Sequence, residues 1–153
     1  MLEPEWYTLE INNKYMLPIN YIAVLVAALA SFIIGFMFHG PLFGKLWMRL
    51  ANIHPTGKEK LSDMVPQMIK NMLANIVCAY VLAMFIYVTE SYYNNLGNVF
   101  GGMGVAFWAW LGFLVTSSSM DVIWMGKSTK LWLFEVVASL VSFIAMGAIL
   151  AAW

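Results

Sequence analysis

Four stretches of this chain are almost free of charge over lengths that suit a membrane-crossing helix. Uncharged runs extend from Pro18 to Gly40, from Asn71 to Thr89 and from Ser91 to Met120, and a fourth, from Leu131 to Trp153, is interrupted by Glu135 alone. About 20 apolar residues cross a bilayer as a helix, so spans are expected at roughly 20–38, 66–88, 99–119 and 130–152. With 62% of 153 residues hydrophobic and 10% charged, the chain has too few charges to cover a water-facing surface. The expected fold class is all-α: a polytopic integral membrane protein with four transmembrane helices in residues 20–153, preceded by a segment 1–19.

Charge placement gives an orientation. Lys45, Arg49, Lys58, Lys60 and Lys70 fall between or just inside the first two spans, and Lys127 and Lys130 between the last two. The amino-terminal flank carries Glu3, Glu5 and Glu10 against Lys14, unlike the basic start of a cleavable signal. By the positive-inside rule both termini are expected outside the cytoplasm and both basic loops inside. Zero net charge offers no basic surface for nucleic acid. The single Cys78 permits no intramolecular disulfide and lies in no CxxC or zinc spacing, so it is expected to act as a small packing residue.

Smaller patterns fill in the spans. Ala23, Ala27, Ser31 and Gly35 recur every fourth residue, a stripe along which another helix can approach closely; on this reading Gly35→Leu weakens packing or assembly. His39 continues the line, and Gly40-Pro41 ends the helix. Residues 41–51 then read as a short interfacial helix with Leu42, Phe43, Leu46, Trp47 and Leu50 on one face. Lys45 and Arg49, with Trp47, are placed to meet lipid headgroups. A polar connector over 52–63 includes His54, which reads as solvated, and Ser62 or Asp63 is expected to cap span two with Pro66 in its first turn. Trp6, Tyr7 and Tyr15 read as interface anchors, and 91–104 as turn chemistry.

Polar residues gather toward the basic end. His39, Lys70, Asn71, Asn75, Thr116, Ser117, Asp121 and Glu135 form a candidate polar layer. Glu135 heads a small-residue face with Ala138, Ser142 and Ala145, and Gly112 is a further packing candidate in span three. An ionisable residue inside a membrane marks a functional site and needs a partner; Lys70, at similar depth, is the expected one, with Asn71 or His39 as substitutes. The hydroxyls of residues 116–119 can return hydrogen bonds to their own helix.

The segments AALASFIIGFMFHGPLFGKLWMRL and WLGFLVTSSSMDVIWMGKSTKLWLFEVVASLVSFIAMGAIL resemble the small bacterial four-helix membrane proteins grouped as domain of unknown function 1761. The resemblance covers about residues 21–152, and its most specific marks are the Gly35 to Trp47 pattern and the pieces at 110–113, 126–128 and 146–150. Phe38-His39 stands here where that pattern has Trp-Tyr. The resemblance implies four spans and a bacterial inner membrane and assigns no chemistry.

No HExxH, GxSxG, P-loop or dinucleotide-binding motif occurs, and no metal-ligand spacing. His39, Ser117 and Asp121 match a hydrolytic triad by residue type only. No cofactor, metal or catalytic activity is expected. The first functional expectation is a packing or assembly module in the lipid bilayer, joining copies of itself or a larger membrane complex. The second is a small proton-coupled transporter using Glu135. A carboxylate lining a water-accessible cavity favours transport, and one locked in dry packing favours structure.

Overall fold

A computed structural model describes residues 18–54, 61–93 and 97–153. Trp6, Tyr7, Tyr15, Lys58 and Lys60 lie outside the described residues. Among those described there is no strand. Helix α1 is Tyr21–Met37, continued by a wide π-type turn over Phe38–Leu42. It is followed by α2, Gly44–Leu50, and by α3, Leu61–Tyr92. Helix α4 is Val99–Trp124 and α5 is Thr129–Ala152. The four long helices are each apolar and long enough to cross a membrane.

The ends of these helices follow from local chemistry. Asn20 caps α1, its Oδ1 accepting the amides of Ile22 and Ala23 at 3.0 and 3.2 Å. Asn98 caps α4 by accepting the amide of Gly101 at 2.9 Å. In both cases a side-chain oxygen satisfies amides that the first helical turn leaves unpaired. The break after α1 is at Gly40, whose backbone is non-helical (φ −119°, ψ −105°) directly before Pro41. Gly126, at φ +70°, reverses the chain between α4 and α5, and the Lys127 amide returns to the Asp121 carbonyl at 3.1 Å.

Three sequence expectations need correction. Gly101 to Gly104, taken as turn, are helical, because the Asn98 cap starts α4 before them. Helix α4 runs on past residue 119 to Trp124, so the hydroxyl run 116–119 is helix interior and does not end the helix. Ser62 and Asp63 lie inside α3, which begins at Leu61, and do not precede it as caps.

Helix α5 is the hub. It packs most extensively on α4 and α1; α1 also packs on α3, while α3 touches α4 and α5 far less. The core joins Val24, Ala27 and Ala28 of α1 to Ala79, Leu82, Ala83 and Ile86 of α3, Ala106 of α4 and Met146 of α5. Small residues dominate because helices in lipid gain little from hydrophobic transfer and associate through close packing and hydrogen bonds.

The α4–α5 seam is the tightest contact. A Cβ built on Gly147 would lie 2.5 Å from the Gly102 carbonyl oxygen, and one on Gly102 would lie 2.5 Å from that of Gly147. Farther along, the Trp110 indole donates to Ser139 Oγ at 3.0 Å. The Trp132 indole donates to Ser118 Oγ at 2.9 Å in the opposite direction. Residues 110 and 118 are eight apart, whereas their partners 139 and 132 are seven apart. A regular α-helix turns about 100° per residue, so eight residues would carry Ser118 off the seam. The wide π-type turn over Trp110–Val115 takes up the extra residue. The Gly112 carbonyl there accepts Thr116 Oγ1 at 2.5 Å.

Candidate functional site

Toward the basic end α1, α3 and α5 separate and leave a cleft of about 420 Å³. The small-residue line of α1 changes use along its length. Ala23, Ala27 and Ser31 are buried, whereas Gly35 and His39, one and two turns on, line the cleft and are half-buried. Helix α3 contributes Asn71, Asn75 and Cys78, and α5 contributes Glu135, Ala138, Ser139 and Ser142. Residues three and four apart share a helix face, and so 71, 75 and 78 arrive together, as do 135, 138, 139 and 142.

The polar groups are partly satisfied by one another. Ser31 Oγ, on a residue only 6% exposed, donates to Asn75 Oδ1 at 2.9 Å across the α1–α3 interface. Asn75 Nδ2 donates to Asn71 Oδ1 at 3.4 Å. His39 Nδ1 lies 2.9 Å from the Gly35 carbonyl; a carbonyl only accepts, so the ring donates there and Nε2 of a neutral ring is an acceptor. Trp47 and Phe134 meet the His39 ring edge-on at 5.3 and 5.7 Å. Ser142, 8% exposed, has no hydrogen bond from its hydroxyl among the described residues.

Among the described residues Glu135 is the one carboxylate lining the cleft, and its partner differs from the expected one. Lys127 Nζ lies 2.5 Å from Glu135 Oε2 and 3.6 Å from Asp121 Oδ2. Lys70 is exposed on α3 and forms no ion pair among the described residues. The physical reason is the Gly126 turn, which brings Lys127 back over the first turns of α5. The hydrogen bond that Lys127 donates to Glu135 foremost, then the charges of Glu135 and Asp121, hold the ammonium above its ordinary 10.5 against the opposing effect of burial. The Lys127 ammonium is therefore charged at neutral pH. The stability that the raised lysine adds is in place below 10.5 as far as its own titration is concerned, and is lost as pH rises through the raised value.

The remaining candidates, Ala138 apart, lie elsewhere. Thr116 and Ser117 are exposed, and the hydroxyls of 116–119 bond carbonyls of their own helix. Ser117 lines a separate apolar groove between α3 and α4, so it does not join His39. Gly112 is exposed with nothing within 4 Å of a Cβ built on it, which removes it as a packing contact. Ala138 is buried and Ala145 half-buried. Lys45 and Arg49 are exposed on α2, while Leu46, Trp47 and Leu50 are half-buried.

Sequence reasoning missed Ser139, Cys78 as a cleft residue, and Lys127 as the partner of Glu135. Ser139 had a legible signal, being one helical turn from Glu135. Lys127 had a weaker one, a lysine placed directly after a glycine between two spans.

Four membrane-crossing helices, an apolar core of small residues and one carboxylate-bearing cleft define a polytopic α-helical membrane protein. The chain belongs to the family described as Protein of unknown function (DUF1761), whose profile matches residues 22–151. That range takes in all four spans, the cleft and the Gly126 turn. No curated protein and no solved structure matches the chain.

Proposed function

We propose that the protein binds a small solute in the cleft between α1, α3 and α5 and moves it across a bacterial inner membrane, in a non-enzymatic role. The observation that carries this reading is Glu135: within one residue a carboxylate lines an open polar cleft and pairs with a lysine at its rim. Polar groups inside a membrane are costly and mark solute or proton pathways, and a concave site with a few convergent polar groups is the usual form of a binding site. Glu135 and its exchangeable pairing support coupling to protons. The described basic residues Lys45, Arg49, Lys70, Lys127 and Lys130 all belong to the end of the bundle where the cleft lies, which supports a cytoplasmic mouth and external termini.

Assembly with copies or with another membrane complex is the second reading, and its support has moved. The stripe Ala23, Ala27 and Ser31 is used inside the bundle against α3 and α5. What favours assembly now is an apolar groove of about 1120 Å³ between α3 and α4.

Native Cys78 tests the first reading: it is half-buried and lines both the cleft and the apolar groove beside it, so labelling counts for the cleft where filling the cleft with Gly35→Leu slows it. A water-soluble, membrane-impermeant maleimide should label it in the folded full-length protein in lipid nanodiscs within minutes. A thiol that reacts only after denaturation would show dry packing and remove the cleft as a solute site.

A further inference from the structure

The chemistry of the cleft narrows what it takes. Among the described residues its lining holds no lysine or arginine, one carboxylate, the His39 ring and the Asn71–Asn75 pair, whose amide oxygens already accept Ser31 Oγ and Asn75 Nδ2. The walls between these groups are Phe32, Phe36, Phe143, Met68 and Met146. An anion would have to displace Glu135 from Lys127 or meet its negative charge, whereas an ammonium with an apolar body can take the place of the lysine on the carboxylate between aromatic faces.

One ammonium is already there. Lys127, carried on the Gly126 turn, sets its Nζ on Glu135 Oε2 and keeps Asp121 Oδ2 within 3.6 Å. The second carboxylate lies on α4, outside the cleft lining, and offers the lysine a place to rest when it leaves Glu135.

We propose that the cleft binds a small amphiphilic amine as its ammonium, and that Lys127 is a resident competitor which such a solute displaces from Glu135 toward Asp121. This rests on the cleft being the functional site. Lys127 acts as a gatekeeping residue: it keeps the carboxylate neutralised while the cleft is empty and sets the affinity threshold for entry. A competitor that occupies the site nine-tenths of the time weakens apparent affinity about tenfold.

The test uses the full-length protein in nanodiscs and three probes with one shared apolar body: 2-phenylethylammonium, 2-phenylethanol and phenylacetate, titrated calorimetrically. The ammonium should bind about tenfold or more tightly than the alcohol, in keeping with a charge-assisted hydrogen bond, and phenylacetate should not bind. Lys127→Met should tighten the ammonium about tenfold and leave the alcohol unchanged. Glu135→Gln should erase the ammonium's advantage; if that variant does not fold, Lys127→Met and the three probes carry the test. Equal binding of alcohol and ammonium overturns the cation class and leaves the cleft as a site. No binding of the ammonium overturns the proposal, and Cys78 reactivity then tells whether the cleft itself is dry. Unchanged affinity in Lys127→Met overturns the competitor role.

Discussion

Along the α4–α5 seam, Gly102 on Gly147, Trp110 on Ser139 and Ser118 under Trp132 hold two helices together from one end to the other. Around the cleft, α1, α3 and α5 present small and polar residues too, yet between the Ser31–Asn75 contact and the His39–Phe134 ring contact they stand apart. The difference lies in what each polar group meets. On the seam every tryptophan N–H finds a serine on the facing helix, so the polar atoms close the gap. In the cleft His39 and the Asn71–Asn75 pair bond within their own helices, and Glu135 bonds a loop. Self-satisfied side chains need no facing helix, and the space between them remains open.

The largest effect expected from breaking this contrast is at the seam. In Gly147→Leu the new Cβ would overlap a backbone carbonyl and the Ala106 side chain, at 2.5 and 2.6 Å, and no rotamer change relieves a backbone clash. A loss of about 3 kcal/mol, at the upper end for overpacking, should appear as a large fall in the thermal midpoint in detergent. An unchanged midpoint would mean that the helices do not approach at Gly102.

Trp110→Phe should cost less. The indole is buried and donates to both Ser139 Oγ and the Val136 carbonyl. Cross-helix hydrogen bonds in membranes average about 0.6 kcal/mol and reach about 1.7, so a loss near 1 kcal/mol is expected. A double-mutant cycle with Ser139→Ala measures it, and zero coupling would exclude the bond. Ser31→Ala should be milder, about 0.6 kcal/mol, because Asn75 keeps its bond to Asn71.

These unequal outcomes explain what the sequence made legible. Uncharged length fixed the four spans, because bilayer thickness leaves few alternatives for such runs. The direction in which Ala23, Ala27 and Ser31 face was also readable, since helical spacing alone sets it. Of the polar layer expected from depth along the spans, Glu135, His39, Asn71 and Asn75 line one cleft, whereas Lys70, Thr116, Ser117 and Asp121 do not. Two things were hidden. The partner of Glu135 depended on a positive φ at Gly126, a local event that no periodicity encodes. The Trp110–Ser139 and Ser118–Trp132 pairing needed the wide turn at Trp110–Val115, which shifts the face of α4 partway along and defeats any regular count.

The sharpest comparison uses one substitution type at two glycines. Gly35 lies on the α1 stripe, and the spacing alone predicts that a side chain there would wedge helices apart. A Cβ built on Gly35, however, meets nothing within 4 Å, because the residue borders the cleft. Gly35→Leu should therefore leave the thermal midpoint nearly unchanged: a helix-interior glycine replaced by leucine gains up to about 1 kcal/mol of helix propensity in a soluble host, and no packed neighbour opposes it. The same leucine should fill space beside His39 and Asn75, slowing maleimide labelling of Cys78 across the cleft. Gly147→Leu should do the reverse, lowering the midpoint and leaving Cys78 at least as reactive. If Gly35→Leu instead destabilises the protein as much as Gly147→Leu, the α1 side is packed as tightly as the α4–α5 seam, and the contrast between closed seam and open cleft fails.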